Sequence, residues 1–116
     1  MDAKFPNAYP DLAFALLTVR NAEGKKDIAG AIKVLEDGGN LTPPNPNCFL
    51  RLAAIYNPGL LGSPVTRQEL IAADVTPNID RSDRYFERAK AIFIEAAKRN
   101  KLDAVRWCEE NNVPYN

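Results

Sequence analysis

The sequence predicts an all-α fold of about five main helices, with one further short helix in an insert. Apolar residues recur at spacings of three and four along most of the chain, and candidate N-cap residues precede these segments. No segment shows the sustained two-residue alternation of a strand. The 116 residues, 46% of them hydrophobic, are enough for one domain with one core. We therefore expect a single helical-repeat domain over residues 1–116.

The first predicted hairpin spans residues 10–39. Pro10 suits the first position of its first helix, because that position needs no N–H donor. Asp27 is the candidate N-cap of the second helix, and Gly38-Gly39 is expected to end it. The residues expected to face inward are Leu12, Ala13, Leu16, Leu17 and Val19 in the first helix and Ile28, Ala31, Ile32 and Leu35 in the second.

The second predicted hairpin spans residues 46–100 and contains an irregular insert over 60–80. Asn45 is the candidate N-cap of its first helix, with Pro46 at the first helical position. Inside the insert, the sequence Thr-Arg-Gln-Glu at 66–69 has the spacing of a capping box and predicts a short helix.

The longest predicted helix begins near Asp80 or Ser82 and ends at about Asn100. One continuous apolar stripe follows it, made of Tyr85, Phe86, Ala89, Ile92, Phe93, Ala96 and Ala97. A C-terminal helix over 102–112 is expected to carry Ala104, Val105 and Cys108 inward. Short links between these helices predict antiparallel neighbours, as in a bundle or a solenoid.

Small and aromatic residues recur in a register typical of stacked helical hairpins. One set is Cys48, Leu52-Ala53, Tyr56 and Gly59, and a second is Ala89, Phe93, Ala96-Ala97, Asn100 and Ala104. This pattern resembles the Sel-one-like repeat (SLR) family, which is related to the tetratricopeptide repeat. The resemblance covers residues 46–110 well and residues 10–40 weakly, since Gly38-Gly39 stand where that family has Ala-Ala.

The resemblance implies antiparallel hairpins stacked as a short right-handed solenoid. In its register Ala13, Cys48 and Ala104 are equivalent, and each is followed four residues later by a second inward residue: Leu17, Leu52 and Cys108. Small residues let paired helices approach closely, and aromatic residues fill the gaps between successive hairpins. A non-repeat helical bundle is the alternative.

The composition argues against catalysis. The chain has no histidine, which removes the commonest general base and metal ligand, and its two cysteines are expected to be buried small hydrophobes, with a disulfide as the alternative. We therefore expect a non-enzyme with no catalytic residues, no bound metal and no cofactor. An enzymatic or small-molecule-binding domain is the competing class, and a deep polar pocket with a buried charged cluster would favour it.

The charge balance argues against nucleic acid and membranes as partners. Lys+Arg and Asp+Glu number 15 each, so the net charge is zero, and no apolar run reaches membrane-spanning length. Residues 1–6 show no signal-peptide pattern. We expect a cytoplasmic protein, with the periplasm as the alternative if a signal peptide has been removed.

The resemblance implies a non-catalytic protein–protein interaction module. SLR-like chains are often bacterial adaptors or regulators, and a small one can be an immunity protein that binds and neutralises a cognate toxin. The alternative is a structural fragment of a longer repeat protein. An exposed apolar face at either end would favour that alternative, because internal repeats lack polar caps.

Three side chains are candidates for binding a partner protein. Trp107 corresponds in the register to Arg51 and Leu16, one position before the inward residue, and such positions can face the concave side. An accessible tryptophan there would be a binding hot spot, whereas the alternative is that it covers the end of the core. Arg51 and Arg20 are candidates for the same groove.

Overall fold

The computed structural model describes residues 8–19, 26–41, 44–59 and 63–115, and these residues form six α-helices and no strand. The predicted all-α class is thus confirmed for the described part of the chain. The helices are α1 (Ala8–Thr18), α2 (Ile28–Gly39), α3 (Pro46–Tyr56), α4 (Arg67–Ala72), α5 (Ile79–Lys98) and α6 (Leu102–Glu110).

The five longer helices pack mainly against their neighbours in chain order. α1 packs on α2, α2 on α3, α3 on α5 and α5 on α6, and α1 also touches α3. The structure is elongated, with principal extents of 47 × 27 × 21 Å. Sequential packing of this kind is compatible with stacked hairpins, in which each unit contacts only the next.

Local capping explains where the helices begin. The Asp27 side chain accepts a hydrogen bond from the Gly30 N–H (2.9 Å), as the predicted N-cap of α2 should. The capping box of α4 is present, with Thr66 and Glu69 each bonding the other's backbone N–H. Both predicted caps are confirmed, and so is Asn45, which caps α3.

The start of α5 differs from the prediction. The predicted start lies near Asp80 or Ser82, but the Asn78 side chain accepts the Arg81 N–H (3.0 Å) and caps a helix that begins at Ile79. The end of α5 agrees with the prediction more closely. Asn100 follows the helix with a φ of 62°, a conformation that asparagine tolerates better than most residues.

Gly38 and Gly39 have a tertiary role that the sequence did not reveal. Both lie inside α2, at its last two positions. A Cβ on Gly38 would lie 2.5 Å from the Cys48 Sγ and 2.8 Å from the Tyr9 Cβ, and one on Gly39 would lie 2.7 Å from the Phe49 ring. Glycine at these positions therefore lets α2 approach α1 and α3 closely.

The residues that the repeat register makes equivalent are all buried in one continuous core. None is more than 1% exposed: Ala13 and Leu17 in α1, Cys48 and Leu52 in α3, Ala104 and Cys108 in α6. The predicted inward face of each of these helices is confirmed at these positions.

The expectation for two residues at the α1 end is wrong, whereas Leu16 packs partly buried against the core. Leu12 and Val19 were grouped with Ala13 and Leu17 as inward residues, but Leu12 is 52% exposed and Val19 is 68% exposed. α1 is apolar on more than one side, so its periodicity could not decide which side faces the core. The prediction for Phe86 of α5 fails in the same way, since this ring is also exposed.

The insert is fixed to the rest of the fold. Leu70 of α4 is fully buried in the core. The Lys26 Nζ lies 2.9 Å from a carboxylate oxygen of Glu69 and also donates to the Pro64 carbonyl (3.1 Å). Hydrogen bonding from Lys26 lowers the pKa of Glu69, so this contact contributes stability above the ordinary pKa of a glutamate and loses it as the pH falls.

Candidate interaction surface

Two adjoining grooves lie on the face formed by α1, α3 and α6. The α1–α3 groove has a volume of about 270 Å³ and is lined by Pro10, Asp11, Asn47, Leu50 and Arg51. The α3–α6 groove has a volume of about 160 Å³ and is lined by Asn47, Phe93, Asp103, Arg106, Trp107 and Glu110. Because Asn47 lines both grooves, they follow one another across the same face.

Arg51 lies in the α1–α3 groove beside an aromatic ring from the neighbouring helix. Its guanidinium carbon is 5.7 Å from the centroid of the Phe14 ring, which is 48% exposed. A cation over a ring at this distance is attracted by the ring's quadrupole, by about 0.5–1 kcal/mol at an exposed site. The pair therefore presents an exposed arginine and an exposed phenylalanine ring together, two residue types enriched in protein–protein interfaces.

Trp107 packs on the core and also lines a groove. Its ring stacks on Phe93, with centroids 4.3 Å apart and planes at 8°, and it lies at a tilt 6.1 Å from Phe86. These contacts make it part of the packing between α5 and α6. The side chain is nevertheless half-buried rather than enclosed, and it lines the α3–α6 groove.

The two candidate residues that the structure describes do not share one pocket. Arg51 and Trp107 lie in adjacent grooves, on either side of Asn47. Arg20 lies outside the described residues. Phe14, which the sequence reasoning did not single out, is an exposed aromatic ring beside Arg51. An aromatic residue on an apolar helix looks like a core residue in the sequence, so no local signal marked it.

A larger cavity of about 500 Å³ lies along another side of α5. Its lining is mostly apolar and includes Pro44, Ala91, Ile92 and Ala96, with Glu95, Arg99 and Lys101 completing it. Ile92 and Ala96 belong to the stripe predicted to be buried, and the structure leaves them half-exposed at this cavity.

Two arginines of α5 lie over aromatic rings of α3. Arg88 is 4.2 Å from the Phe49 ring centroid, and Arg81 is 4.9 Å from that of Tyr56. Tyr85 stacks between those two rings, 5.9 Å from each. Burial is the main cause that raises the pKa of Tyr85, so this phenol stays neutral at pH 7. The row of rings joins α3 to α5 and offers no reactive group.

The described residues show no metal-binding cluster and hold both thiols buried. They contain no group of three or more side chains of the His, Cys, Asp and Glu types placed to hold a metal ion. Both cysteines are free and buried, and burial raises the pKa of Cys48 to about 11. Such a thiol is protonated at neutral pH and unreactive. Within the same residues, no helix has the length and apolarity needed to cross a membrane.

The fold and this face define an all-helical protein with a mixed polar and aromatic surface between successive helices. No protein-family model matches the chain, and no curated protein or solved structure matches it either. The SLR resemblance therefore depends on the residues that carry it.

Proposed function

We propose that this protein is a non-catalytic protein–protein interaction module that binds a partner across the α1–α3 and α3–α6 grooves. The observation that supports this most directly is the open Phe14–Arg51 pair. An apolar ring and a cation held together on a groove give a partner both contact area and orientation. A surface of this kind suits recognition better than reaction.

The charges along the grooves suggest which partner segment fits. The α1–α3 groove carries one acid and one base, Asp11 and Arg51. The α3–α6 groove carries two acids, Asp103 and Glu110, and one base, Arg106. We infer a partner segment with an aromatic or aliphatic anchor against Phe14 and a basic side chain near Glu110, since opposite charges across an interface improve specificity and association rate.

The SLR resemblance suggests the biological setting of this proposal. Within it, the protein acts as a bacterial adaptor or as an immunity protein that neutralises a cognate toxin, most simply in the cytoplasm. Both roles need a stable binding face and no catalytic residue.

Site-specific crosslinking in the native cells tests the proposal. A photo-crosslinking amino acid at position 51 should capture a discrete protein, whereas one at Lys33 of α2, an exposed position away from the grooves, should not. Arg51→Glu should then weaken binding of the captured protein by about 30-fold or more, the effect of a hot-spot residue. Equal capture at both positions, or unchanged binding by the variant, would contradict the proposal.

A second candidate function is a structural unit of a longer repeat array. The exposed apolar side of α1, with Leu12 and Val19, favours it, because internal repeats present such faces to their neighbours. Mass spectrometry of the native protein tests it. A native polypeptide heavier than 12.8 kDa, with further helical repeats before α1, supports this candidate. A native polypeptide of 12.8 kDa excludes it.

A further inference from the structure

Three exposed arginines form a basic row along one side of α5. Arg81, Arg84 and Arg88 follow one another at spacings of three and four residues, so they lie on the same side of the helix over a length of about 10 Å. The acid that precedes each arginine has the same spacing, and these acids form a separate row beside the first: Asp80, Asp83 and Glu87. The two signs of charge that alternate in the sequence are thus separated on the helix.

The basic row lacks acidic partners. Within the described residues, none of the three arginines forms an ion pair. Arg81 and Arg88 lie over the rings of Tyr56 and Phe49, and Arg81 also donates one hydrogen bond to the Tyr56 hydroxyl (3.2 Å). A stacked guanidinium is held in place while its remaining N–H groups point outward around its edge, in the fork geometry that suits a carboxylate.

The apolar cavity beside α5 begins where the basic row ends. Ala91 and Ile92 line this cavity and follow Arg88 by three and four residues, which places them one turn further along the same side. Its volume of about 500 Å³ is ample for a large apolar side chain. The charged residues of its lining are one acid and two cations: Glu95, Arg99 and Lys101. This side of α5 therefore offers a row of cations and, next to it, an apolar cavity with a cationic excess.

We propose that this side of α5 binds an acidic segment of a partner protein, with carboxylates against Arg81, Arg84 and Arg88 and an apolar side chain in the cavity. Like charges at these spacings repel one another, so the row costs the isolated chain stability, and the carboxylates of a partner relieve that cost. The row of acids beside the arginines repels a wide polyanion such as a nucleic acid. A single peptide segment is narrow enough to follow the arginines alone.

This second surface goes beyond the proposed binding function, because it is separate from the α1–α3 and α3–α6 grooves. Phe93 is the residue of α5 that lines the α3–α6 groove, and it lies five positions after Arg88, on a different side of the helix. The protein therefore has two surfaces that can hold two partner segments at once, and simultaneous binding of both segments of one partner raises the overall affinity.

Selection from a phage-displayed library of random linear peptides on the full chain tests the second surface. The enriched peptides should contain several Asp or Glu residues and one large apolar residue. Arg84→Glu should weaken binding of a synthetic copy of the best peptide by about tenfold or more, measured by fluorescence anisotropy. Arg84 is the residue of the row that makes none of the ring contacts, so its replacement leaves the packing of α3 on α5 unchanged.

A matched control has the same change of charge elsewhere. Arg67 is an exposed arginine at the first position of α4, away from the row, and Arg67→Glu should bind the peptide like the wild type. A second variant tests the cavity. Ala91→Gln, at an exposed position, puts a polar side chain into the cavity and should weaken binding of the selected peptide. It should not weaken binding of the same peptide with its apolar residue replaced by alanine.

Four outcomes overturn this inference: a selection without enrichment of acidic peptides, equal weakening by Arg84→Glu and Arg67→Glu, equal effects of Ala91→Gln on both peptides, or tighter binding of single-stranded DNA than of the peptide. Arg51→Glu should leave binding of the acidic peptide unchanged. Failure of the second surface and failure of the groove proposal are therefore distinguishable, because the first is measured with Arg84→Glu and the second with Arg51→Glu.

Discussion

α1 and α6 have the same inner face but opposite outer faces. Both carry a small residue and a second inward residue four positions later, and these are completely or almost completely buried. At equivalent outer positions, however, α1 has Leu12 and Val19 where α6 has Asp103 and Glu110. The inner residues determine that each helix joins the stack. The outer residues leave an apolar surface on α1 and a charged one on α6.

The two ends are also attached differently. Near α1 the helix backbones approach each other closely, because Gly38 has no side chain and leaves room for Tyr9 and Cys48. Near α6 they meet through large rings, with Trp107 stacked on Phe93. A close backbone contact tolerates no added atom, whereas a ring stack at the edge can adjust. Three pairs of substitutions test this difference, in order of decreasing expected effect on stability.

Truncating a buried leucine to alanine should reduce stability more in α3, in the middle of the fold, than in α1 at its end. Leu52→Ala should lower the free energy of unfolding by about 4 kcal/mol and Leu17→Ala by about 3 kcal/mol. Both side chains are buried, but an end helix can move to fill part of the cavity. Urea unfolding at micromolar protein concentration measures both values. An equal or larger cost for Leu17 would show that α1 is held as rigidly as α3.

Adding a methyl group at the α1 end should also destabilise the fold. Gly38→Ala should lower the free energy of unfolding by about 2 kcal/mol, because the new Cβ would lie closer to the Cys48 Sγ and the Tyr9 Cβ than van der Waals contact allows. Gly59→Ala is the control, since its closest new contact is the Asn57 side-chain oxygen at 3.3 Å. Thermal unfolding of both variants compares them. If they behave alike, the close approach near Gly38 is not a determinant of stability.

Substitutions at Asn100, in the link between α5 and α6, should have the smallest effect on stability. Asn100→Ala should cost about 1 kcal/mol, because alanine adopts the positive φ of this position less readily than asparagine. Asn100→Gly should not lose stability, since glycine adopts positive φ without steric strain. A loss in both variants would assign the role to the asparagine side chain instead of its backbone conformation.

The predictable parts of this fold depend on neighbours in the sequence. Asp27 and Thr66 cap helices through residues three positions away, so their pattern suffices to locate the helix starts. The positive φ of Asn100 follows from its place after a long helix. The buried register was predictable because small residues recur at matched positions.

The unpredictable parts depend on contacts between distant segments. The sequence predicts only that Gly38 helps to end α2. Its part in the close approach of α2 to α3 becomes apparent only with Cys48 in place beside it. The contact of Arg81 with the ring of Tyr56, 25 residues away, has no signal among its sequence neighbours. For the candidate site, the register indicated Arg51 and Trp107, but Phe14 became visible only with the neighbouring helix in place.

The two buried cysteines give each attachment its own chemical reporter. Cys48 lies at the junction of α1, α2 and α3, and Cys108 lies on the inner side of α6. Burial raises the pKa of both thiols, so a thiol reagent reacts with neither until the surrounding helices separate. The labelling rate of each cysteine therefore measures how often its region opens.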